Sequence, residues 1–440
     1  MVEITKMKAE KQKAEKEAFF CTTKELSRLG LEQIPTQFQS HKHLIYSSPA
    51  TLAFNSPGAE GFGVKRAGLA VLDSIMLIVA PGCCGRNTSL ISSMKEYNDR
   101  FYYLMMDETD IVTGRHLKKI PKAVEEICSV CPKKPSVVMI CITCVDALLG
   151  TDMERVCKKA EEQVEIPVRP CYMYALTREG RKPPMVHVRQ SLYSLLEPGK
   201  KKGNVVNLLG FFSPLVDDCE IYDLLHSAGV KTIHEISRCK DYKEYQTMSE
   251  ANFNLVLHHE ARFAAEDFHN RLQIPFIELR RLYQIDKIEN QYHALGNALG
   301  VAFYDEKYKK QAEDALEKFR QKCPDASFAI GECLNADPFE LSLALIRYGF
   351  SVPEIYGTIT VENFTYIRSL AKISPETKVF SNMEPTMIYY DPAKSDVNLA
   401  IGKDACYYHP DCPYVMWNGE EQPYGYAGVR RLFEQLLEVV

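Results

Sequence analysis

The stretch MLIVAPGCCG, residues 76–85, sets the fold of this chain. Its first five residues form a continuous apolar run, which is typical of a strand buried on both faces of a parallel sheet. Pro81 and Gly82 then end the strand. Because ligands bind at the carboxyl ends of parallel strands, a turn that carries cysteines at this point predicts a ligand site.

Apolar runs that end in polar turns recur along the chain and alternate with segments of helical periodicity. The later runs are Ser136–Cys141, Val205–Gly210, Asn254–His258, Ser327–Gly331 and Val397–Gly402. The segments predicted as helices after three of them are Asp217–Ala228, Ala261–Leu272 and Asp337–Tyr348. This alternation predicts an α/β fold of three Rossmann-like lobes, with mostly parallel sheets around a central cavity.

Two turn-rich segments divide the predicted lobes. Pro198–Gly203 combines proline, glycine and three lysines, and Lys322–Asp325 follows a long charged helix. We therefore expect an N-terminal helical arm and loop at 1–64 and a first lobe, which contains the cysteine turns, at 65–200. The second and third Rossmann-like lobes are expected at 201–320 and 321–440.

The overall composition narrows the class of protein. The net charge is −5 at pH 7 and the basic runs are short, so no nucleic-acid surface is expected. No apolar run reaches the ~18 residues that cross a bilayer, and the charged N-terminus lacks an apolar signal core. We therefore expect a cytoplasmic protein without membrane binding. Neither GxxxxGKS/T nor a strand-linked GxGxxG is present, so ATP and dinucleotides are not expected to bind by those motifs.

Fifteen cysteines in a reducing compartment favour metal or cluster binding over disulfides, although most of them are expected to be buried as small apolar side chains. Cys83, Cys84 and Cys144 follow two predicted strands of one sheet, where their thiolates would converge. Gly85 would let backbone amides approach the sulfurs of a cluster. Two unrelated buried thiols are the alternative.

Two CxxC pairs, Cys128–Cys131 and Cys141–Cys144, imitate a zinc ribbon. Their separation is shorter than the ~15–20 residues usual in such ribbons, and Val137–Ile140 between them is predicted as a core strand. A zinc ribbon is therefore disfavoured. A thioredoxin-like redox pair is equally disfavoured, because the CxxC does not open a helix.

From about residue 65 to 435 the chain carries an ordered series of motifs that resembles the nitrogenase component 1 family. The motifs are Pro81–Gly85, Glu108–Gly114, Cys144–Met153, Ile166–Arg169, Asn254–Val256 with Ile274–Phe276, and Gln422–Gly428. That family includes the nitrogenase α and β subunits, their cofactor-assembly scaffold, the protochlorophyllide and chlorophyllide reductases and a nickel-tetrapyrrole reductive cyclase.

The resemblance gives the cysteines a specific role. Cys84 matches the family's Gly-Cys-Gly cluster ligand, with Cys83 as the neighbouring alternative, and Cys144 matches the later cluster cysteine. The family's earlier cluster cysteine should fall within 55–61, where this chain has none. The resemblance therefore implies a 4Fe–4S cluster held by Cys84 and Cys144 and shared across a dimer interface, rather than an eight-iron cluster.

The resemblance breaks down at the second cofactor site. Where true nitrogenases anchor the iron–molybdenum cofactor with a cysteine, this chain reads Leu257–Glu260, and no cofactor histidine precedes Pro423. Dinitrogen reduction is therefore not expected. His258 and His259 are candidates to ligate a metal or donate protons in the cavity, and the alternative is a structural role at a strand end.

Other residues are weaker candidates for the same cavity. His187 lies in the segment that carries a catalytic histidine in nitrogenase, although the surrounding sequence departs from the family. Tyr424, Tyr426 and Trp417 are expected either to line the cavity or to pack in the core.

The resemblance implies an oxidoreductase that forms a homo- or heterodimer with a related component 1 subunit. An ATP-dependent iron–sulfur reductase would supply electrons, and the 4Fe–4S cluster would transfer them to an organic substrate, with tetrapyrroles among the candidates. A second metallocofactor, or a metal-tetrapyrrole substrate, would occupy the central cavity. The alternative is a non-catalytic scaffold on which a metallocofactor is assembled. A lobed small-molecule binding protein without a cluster is the third reading.

Overall fold

The computed structural model describes residues 17–39, 49–50, 63–82, 92, 94–143, 145, 149–173 and 182–440. Within these residues fourteen strands form three sheets, and fifteen α-helices accompany them. None of the described helices is long and apolar enough to cross a bilayer. The predicted α/β fold of three Rossmann-like lobes with mostly parallel sheets is confirmed.

The first sheet is fully parallel and has the strand order β3-β2-β4-β5. Its strands are β2 Ile75–Ala80, β3 Phe101–Met105, β4 Val138–Ile142 and β5 Val168–Tyr172. Every residue of β2 and β4 is buried, because helices cover both faces of the sheet at its centre. Burial on both faces explains why these strands are unbroken apolar runs in the sequence.

The second sheet repeats this topology in the order β7-β6-β8-β9, and it is also parallel throughout. Its strands are β6 Val205–Leu209, β7 Thr232–His234, β8 Phe253–Val256 and β9 Phe276–Glu278. Asn207 and Asn254 lie opposite each other on β6 and β8, and the Asn207 amide donates a 2.7 Å hydrogen bond to the Asn254 side chain. This buried pair helps to fix the register of the two central strands.

The third sheet has the order β1-β12-β11-β10-β13-β14. Its strands are β1 Phe20–Thr22, β10 Ser327–Ile330, β11 Ser351–Tyr356, β12 Lys378–Phe380, β13 Leu399–Ile401 and β14 Tyr414–Val415. All neighbours are parallel except β1, which pairs antiparallel with β12, with Phe20 opposite Phe380. The N-terminal segment therefore completes the third sheet, an outcome that the sequence did not indicate.

The helices connect and cover these strands. They are α1 Thr23–Leu29, α2 Val64–Gly68, α3 Glu108–Thr113, α4 His116–Val130, α5 Met153–Val164, α6 Pro184–Tyr193, α7 Glu220–Ser227, α8 Tyr242–Gln246, α9 Arg262–Leu272, α10 Ile285–Leu299, α11 Glu306–Lys322, α12 Pro338–Arg347, α13 Phe364–Ile373, α14 Lys403–Tyr408 and α15 Gly425–Val439. The three helices predicted after apolar runs are α7, α9 and α12, each within three residues of its predicted ends. The predicted N-terminal helix Met7–Ala18 lies almost wholly outside the described residues.

The lobes share apolar cores, which fixes the space between them. One cluster of buried side chains joins the second and third sheets, with Leu255 and Phe328 among its members. Another joins the first and second sheets and contains Met139 and Val256. Since these clusters cross from lobe to lobe, the division of the chain near residues 200 and 320 stays a prediction.

Candidate functional site

A cavity of about 430 Å³ lies where segments of all three lobes meet. Arg189 of α6 reaches it from the first lobe. Residues 256–260 and 278–281 follow β8 and β9 of the second lobe, and residues 332–338 follow β10 of the third. The cavity is thus formed at the carboxyl ends of parallel strands, where ligand sites are expected in this architecture.

His258 and His259 both line this cavity, immediately beyond β8. Their rings stack with centroids 4.5 Å apart, and the Glu260 amide donates to Nδ1 of His258 at 3.4 Å. Burial lowers the pKa of His258 well below its ordinary value, and the neighbouring His259 and Arg189 lower it further. The His258 imidazole is therefore neutral near pH 7, a state that suits metal ligation better than proton donation.

A glycine allows the cavity wall to close against His258. Gly210, directly after β6, has a φ of +145°, and a Cβ there would lie 2.8 Å from the His258 backbone nitrogen. Only glycine accepts both the backbone conformation and this close approach. The Gly210 carbonyl also accepts hydrogen bonds from Arg189 Nε and Nη2, at 3.2 and 2.7 Å.

Arg189 fastens the first lobe to the second. Its side chain is only 5% exposed, and Nη1 binds Glu260 at 2.7 Å while also donating to the Met185 carbonyl. With the two bonds to Gly210 this gives the guanidinium four hydrogen bonds, so Arg189 acts as a structural bridge at the cavity wall.

Arg281, in contrast, is poorly satisfied. It is half-buried in the cavity wall after β9, and the only hydrogen bond of its guanidinium among the described residues goes from Nη2 to Gln422 Oε1 at 2.6 Å. Nε is buried without a partner. No described carboxylate pairs with it; instead the guanidinium lies over the Phe211 ring, 4.3 Å from the centroid. The Phe211 ring also meets the His258 ring edge-on, with the centroids 5.7 Å apart.

The third lobe contributes carboxyl groups to the opposite wall. Glu332, after β10, accepts hydrogen bonds from the amide and hydroxyl of Thr358, and burial raises its pKa. Asp337 caps α12 by accepting from the amides of Phe339 and Glu340 at 2.9 and 3.0 Å. Burial raises the pKa of Asp337 to about 6.

The weaker sequence candidates lie elsewhere. His187 packs against Tyr172 with ring centroids 5.1 Å apart and is not among the residues that line the cavity. Tyr424, Tyr426 and Trp417 are buried in the core between the second and third lobes, so their expected alternative as core residues is the one observed. Gln422, three residues before Gly425, is the member of this segment that reaches the cavity.

Cys83, Cys84, Gly85 and Cys144 lie outside the described residues. The strands that precede them are neighbours in the first sheet, with Val79 of β2 opposite Ile142 of β4. That arrangement fits the prediction that both cysteine turns meet at one sheet edge, and the ligand assignment itself stays a prediction. Of the described residues, no group of three His, Cys, Asp or Glu side chains is arranged to hold a metal ion.

Cys128, Cys131 and Cys141, the described members of the two CxxC pairs, do not approach a common point. Cys141 is buried in β4 opposite Cys171 of β5. Cys131 instead lies at the end of α4, with its sulfur 3.1 Å from the Tyr102 hydroxyl. Cys144, the fourth cysteine of these pairs, lies outside the described residues, so the argument against a zinc ribbon stays a prediction.

Sequence reasoning missed the charged groups of the cavity other than histidine. Asp337 opens a predicted helix, so its position carried a signal. Arg280 and Arg281 follow the short strand β9, which was not among the predicted apolar runs. Arg189 carried none, because its site depends on how the first lobe docks on the second.

The comparison with known families agrees with this fold. The family described as nitrogenase component 1 type oxidoreductase matches residues 60–440, and the chain belongs to that family.

Curated relatives of the chain include cofactor biosynthesis proteins of the NifE type. The nitrogenase iron-molybdenum cofactor biosynthesis protein NifE of Sinorhizobium fredii (strain NBRC 101917 / NGR234) is 25% identical over 418 residues, or 89% of this chain and 82% of the relative. The NifE of Nostoc sp. (strain PCC 7120 / SAG 25.82 / UTEX 2576) is 25% identical over 61% of this chain and 58% of its own length. The NifE of Clostridium pasteurianum is 24% identical over 56% and 54%. The matches thus span less than two thirds of the Nostoc and Clostridium proteins.

Solved structures give the same fold. A chain of nitrogenase Cp1 at pH 6.5 superposes with a TM-score of 0.68 at 19% identity, covering 90% of this chain and 92% of that one. A chain of nitrogenase Cp1 at pH 5 gives a TM-score of 0.59 at 16% identity, over 86% and 87%. At these identities the likeness establishes the architecture alone.

Proposed function

We propose that this chain is a scaffold-type subunit of the nitrogenase component 1 family, which holds a metallocofactor or its precursor in the cavity between the lobes and hands it on. The cofactor-biosynthesis relatives support this reading. The scaffold was the alternative at the level of sequence, and it now ranks above an organic-substrate reductase.

One observation carries the proposal. The Phe211 ring contacts both a neutral imidazole, His258, and a guanidinium, Arg281, that has no carboxylate partner among the described residues. A neutral imidazole is a ligand for iron and other transition metals, whereas a guanidinium without a carboxylate attracts an anion. A preformed anionic metal cluster satisfies both groups. Since the described residues offer no three-ligand metal site, the cavity suits a cofactor that arrives assembled.

The first lobe would hold a separate 4Fe–4S cluster through Cys84, or Cys83, together with Cys144. These residues follow neighbouring parallel strands, and thiolates are the usual ligands of such clusters. When bound, the cluster would supply one-electron transfer. Two cysteines leave the ligand set incomplete, so a related subunit, identical or different, is the expected source of the rest. An ATP-dependent iron–sulfur protein is the expected electron donor.

The acidic side of the cavity supports a second candidate function, reduction of an organic substrate. Reduction of an organic substrate needs protons, and a carboxyl with a pKa of about 6, as at Asp337, is poised to donate them near neutrality. The reductase reading, with a tetrapyrrole or a similar unsaturated substrate, therefore stays as the alternative.

Two measurements on the anaerobically purified full chain separate these readings. A brown protein with a broad visible absorption band and bound iron is expected for any cluster-bearing member. A scaffold transfers metal to a cofactor-free acceptor without consuming substrate, whereas a reductase turns over substrate with reductant and ATP. A colourless, iron-free protein after anaerobic reconstitution would contradict both readings.

His258→Ala tests the cavity ligand. We expect it to lose the iron bound beyond the first-lobe cluster, because the neutral His258 imidazole lies in the cavity near the Arg281 guanidinium. His269→Ala is the matched control, since His269 is exposed on α9. Equal iron content in the two variants would remove His258 from the proposal.

A further inference from the structure

The linker between β9 and α10 carries two of the arginines that line the cavity. It follows β9 and ends where α10 begins, so that Arg280 and Arg281 line the cavity while Tyr283 and Gln284 lie behind them in the protein interior. Whatever fixes Tyr283 and Gln284 therefore fixes the direction in which the two guanidinium groups point.

Glu340 of α12 is the group that fixes them. Its carboxylate is fully buried, and Oε2 accepts from the Tyr283 amide at 2.9 Å. Oε1 accepts from the Gln284 side-chain amide at 3.0 Å and from the Gln284 backbone amide at 3.3 Å. Among the described residues no cation forms an ion pair with Glu340, so the linker's N–H groups are its stabilising partners.

The same linker is tied to the single tryptophan of the chain. Trp417 Nε1 donates to the Tyr283 hydroxyl at 2.6 Å, and that hydroxyl donates to the Asn335 carbonyl at 2.8 Å. The Tyr283 carbonyl accepts from Tyr348 at 2.6 Å. A movement of Tyr283 away from Glu340 therefore changes the surroundings of the indole.

We propose that Glu340 is a positioning residue of the cavity: its ionised carboxylate holds residues 283–284 so that Arg280 and Arg281 face the cavity, and protonation loosens that hold. The proposal concerns the wall of the cavity and does not depend on which ligand the cavity takes.

The hydrogen bonds between Glu340 and residues 283–284 differ between the ionised and the protonated carboxyl. The ionised group accepts all three N–H donors as charge-assisted bonds. The protonated group has one oxygen that is itself a donor, which then faces an amide N–H and loses that bond. Burial raises the pKa of Glu340 to about 7, and the neighbouring Asp337 raises it as well. The two states therefore exchange in the neutral range.

Several charged or titratable groups surround Glu340 and must be separated from it in a test. Asp337 stands at the start of the same helix, with Arg280 near it. Arg347 donates to Gln284 and pairs with Asp286, so it reaches Glu340 only through the linker. The remaining groups are tyrosines whose pKa values are raised: Tyr283, Tyr348 and Tyr366.

The emission of Trp417 in the full chain, recorded from pH 5 to 9, tests the two states. We expect one transition with a midpoint near 7 in the natural protein and none in Glu340→Gln, which cannot ionise. His259→Gln should keep the transition. Asp337→Asn should keep it with a lower midpoint, because a negative neighbour is removed. A natural protein without a transition, or a Glu340→Gln variant that retains it, would overturn the proposal.

A second variant covers the case in which Glu340→Gln fails to fold. Gln284→Ala removes a donor that stabilises the ionised carboxylate, so the midpoint of the Trp417 transition should rise. An unchanged midpoint would contradict the assignment of the transition to Glu340.

The positioning of the arginines is tested separately at pH 8. Phenylglyoxal labelling, followed by mass spectrometry, should modify Arg281 several-fold faster in Glu340→Gln, or in Gln284→Ala, than in the natural protein. Arg368, an exposed arginine over the Phe364 ring, should react equally in all of them. Equal labelling of Arg281 in every protein would leave Glu340 as a folding residue only and refute the positioning role.

Discussion

Both walls of the cavity are formed by segments that follow strands of a parallel sheet, but one wall carries basic side chains and the other carries acidic side chains. The basic wall, His258, His259, Arg280 and Arg281, follows strands of the second sheet, and the acidic wall, Glu332 and Asp337, follows a strand of the third. The carboxyls of the acidic wall accept hydrogen bonds from backbone amides. On the basic wall, the Arg281 guanidinium has a single hydrogen bond within the described part of the chain, to Gln422, and its buried Nε has none. The difference teaches that the carboxyls of the acidic wall have their hydrogen-bond partners without a ligand, whereas the guanidinium of the basic wall does not.

The largest expected effect comes from Arg189, which ties the first lobe to the basic wall. Arg189→Ala should lower the free energy of unfolding by about 2–4 kcal/mol, because it leaves Glu260 and the Gly210 carbonyl without their buried partner. Urea unfolding measures this change. Arg271→Ala is the matched control: Arg271 also binds two carbonyls and a carboxylate, yet is 33% exposed, so its loss should be smaller. Equal losses would show that burial at the cavity adds nothing.

A smaller effect, visible only in its pH dependence, is expected on the acidic wall. Burial raises the pKa of Asp337 from 3.8 to about 6, so the folded protein binds the proton more tightly than the unfolded chain. The stability of the fold therefore falls as pH rises from ~4 to ~6 and stays at the lower level above that range. Asp337→Asn should remove on the order of 2–3 kcal/mol of this pH dependence while keeping the helix cap.

Asp391→Asn is the control for that prediction. Asp391 likewise precedes a proline and caps a short helix, but it is exposed. Its substitution should leave the pH dependence of unfolding as it is. If Asp337→Asn also left the pH dependence of unfolding unchanged, the Asp337 carboxyl would be as well solvated as a surface carboxyl.

The smallest expected effect is that of Arg281→Gln, in the absence of any ligand. The variant loses a cation–π contact worth ~0.5–2 kcal/mol and also removes an unpaired buried charge, so the two changes nearly cancel. We expect a change in unfolding free energy of under about 1 kcal/mol, together with a rise in the pKa of His258, which NMR titration measures. Arg368→Gln should not alter that pKa. A strong loss of stability would mean that Arg281 serves the fold rather than a ligand.

The sequence predicted those strands whose burial on both faces produces a continuous apolar run. Runs such as 76–80 are apolar because both faces of β2 are covered, and that covering is common to any parallel sheet. The short strand β1 has three residues and no such run, so only its pairing with β12, far along the chain, defines it. Local pattern cannot specify a contact of that kind.

The site was predictable to a similar degree and for a similar reason. His258 and His259 stand directly after a strand, so their place at the cavity followed from topology. The incomplete hydrogen bonding of Arg281 did not, because its one described acceptor, Gln422, comes from a segment far along the chain. The proton equilibria of Asp337 and Glu340 likewise depend on burial by distant segments.

The antiparallel strand β1 has a consequence for how the chain acquires its shape. Phe20 and Phe380 face each other across the third sheet, so the protein is closed into a loop by contacts between its beginning and its last lobe. During synthesis the segment around Phe20 emerges before β12 and stays without this strand partner until β12 has left the ribosome. The first and second sheets have no such dependence, since all their strands lie between β1 and β10. The third lobe is therefore the last to close, and the cavity that it walls off is completed in the same event.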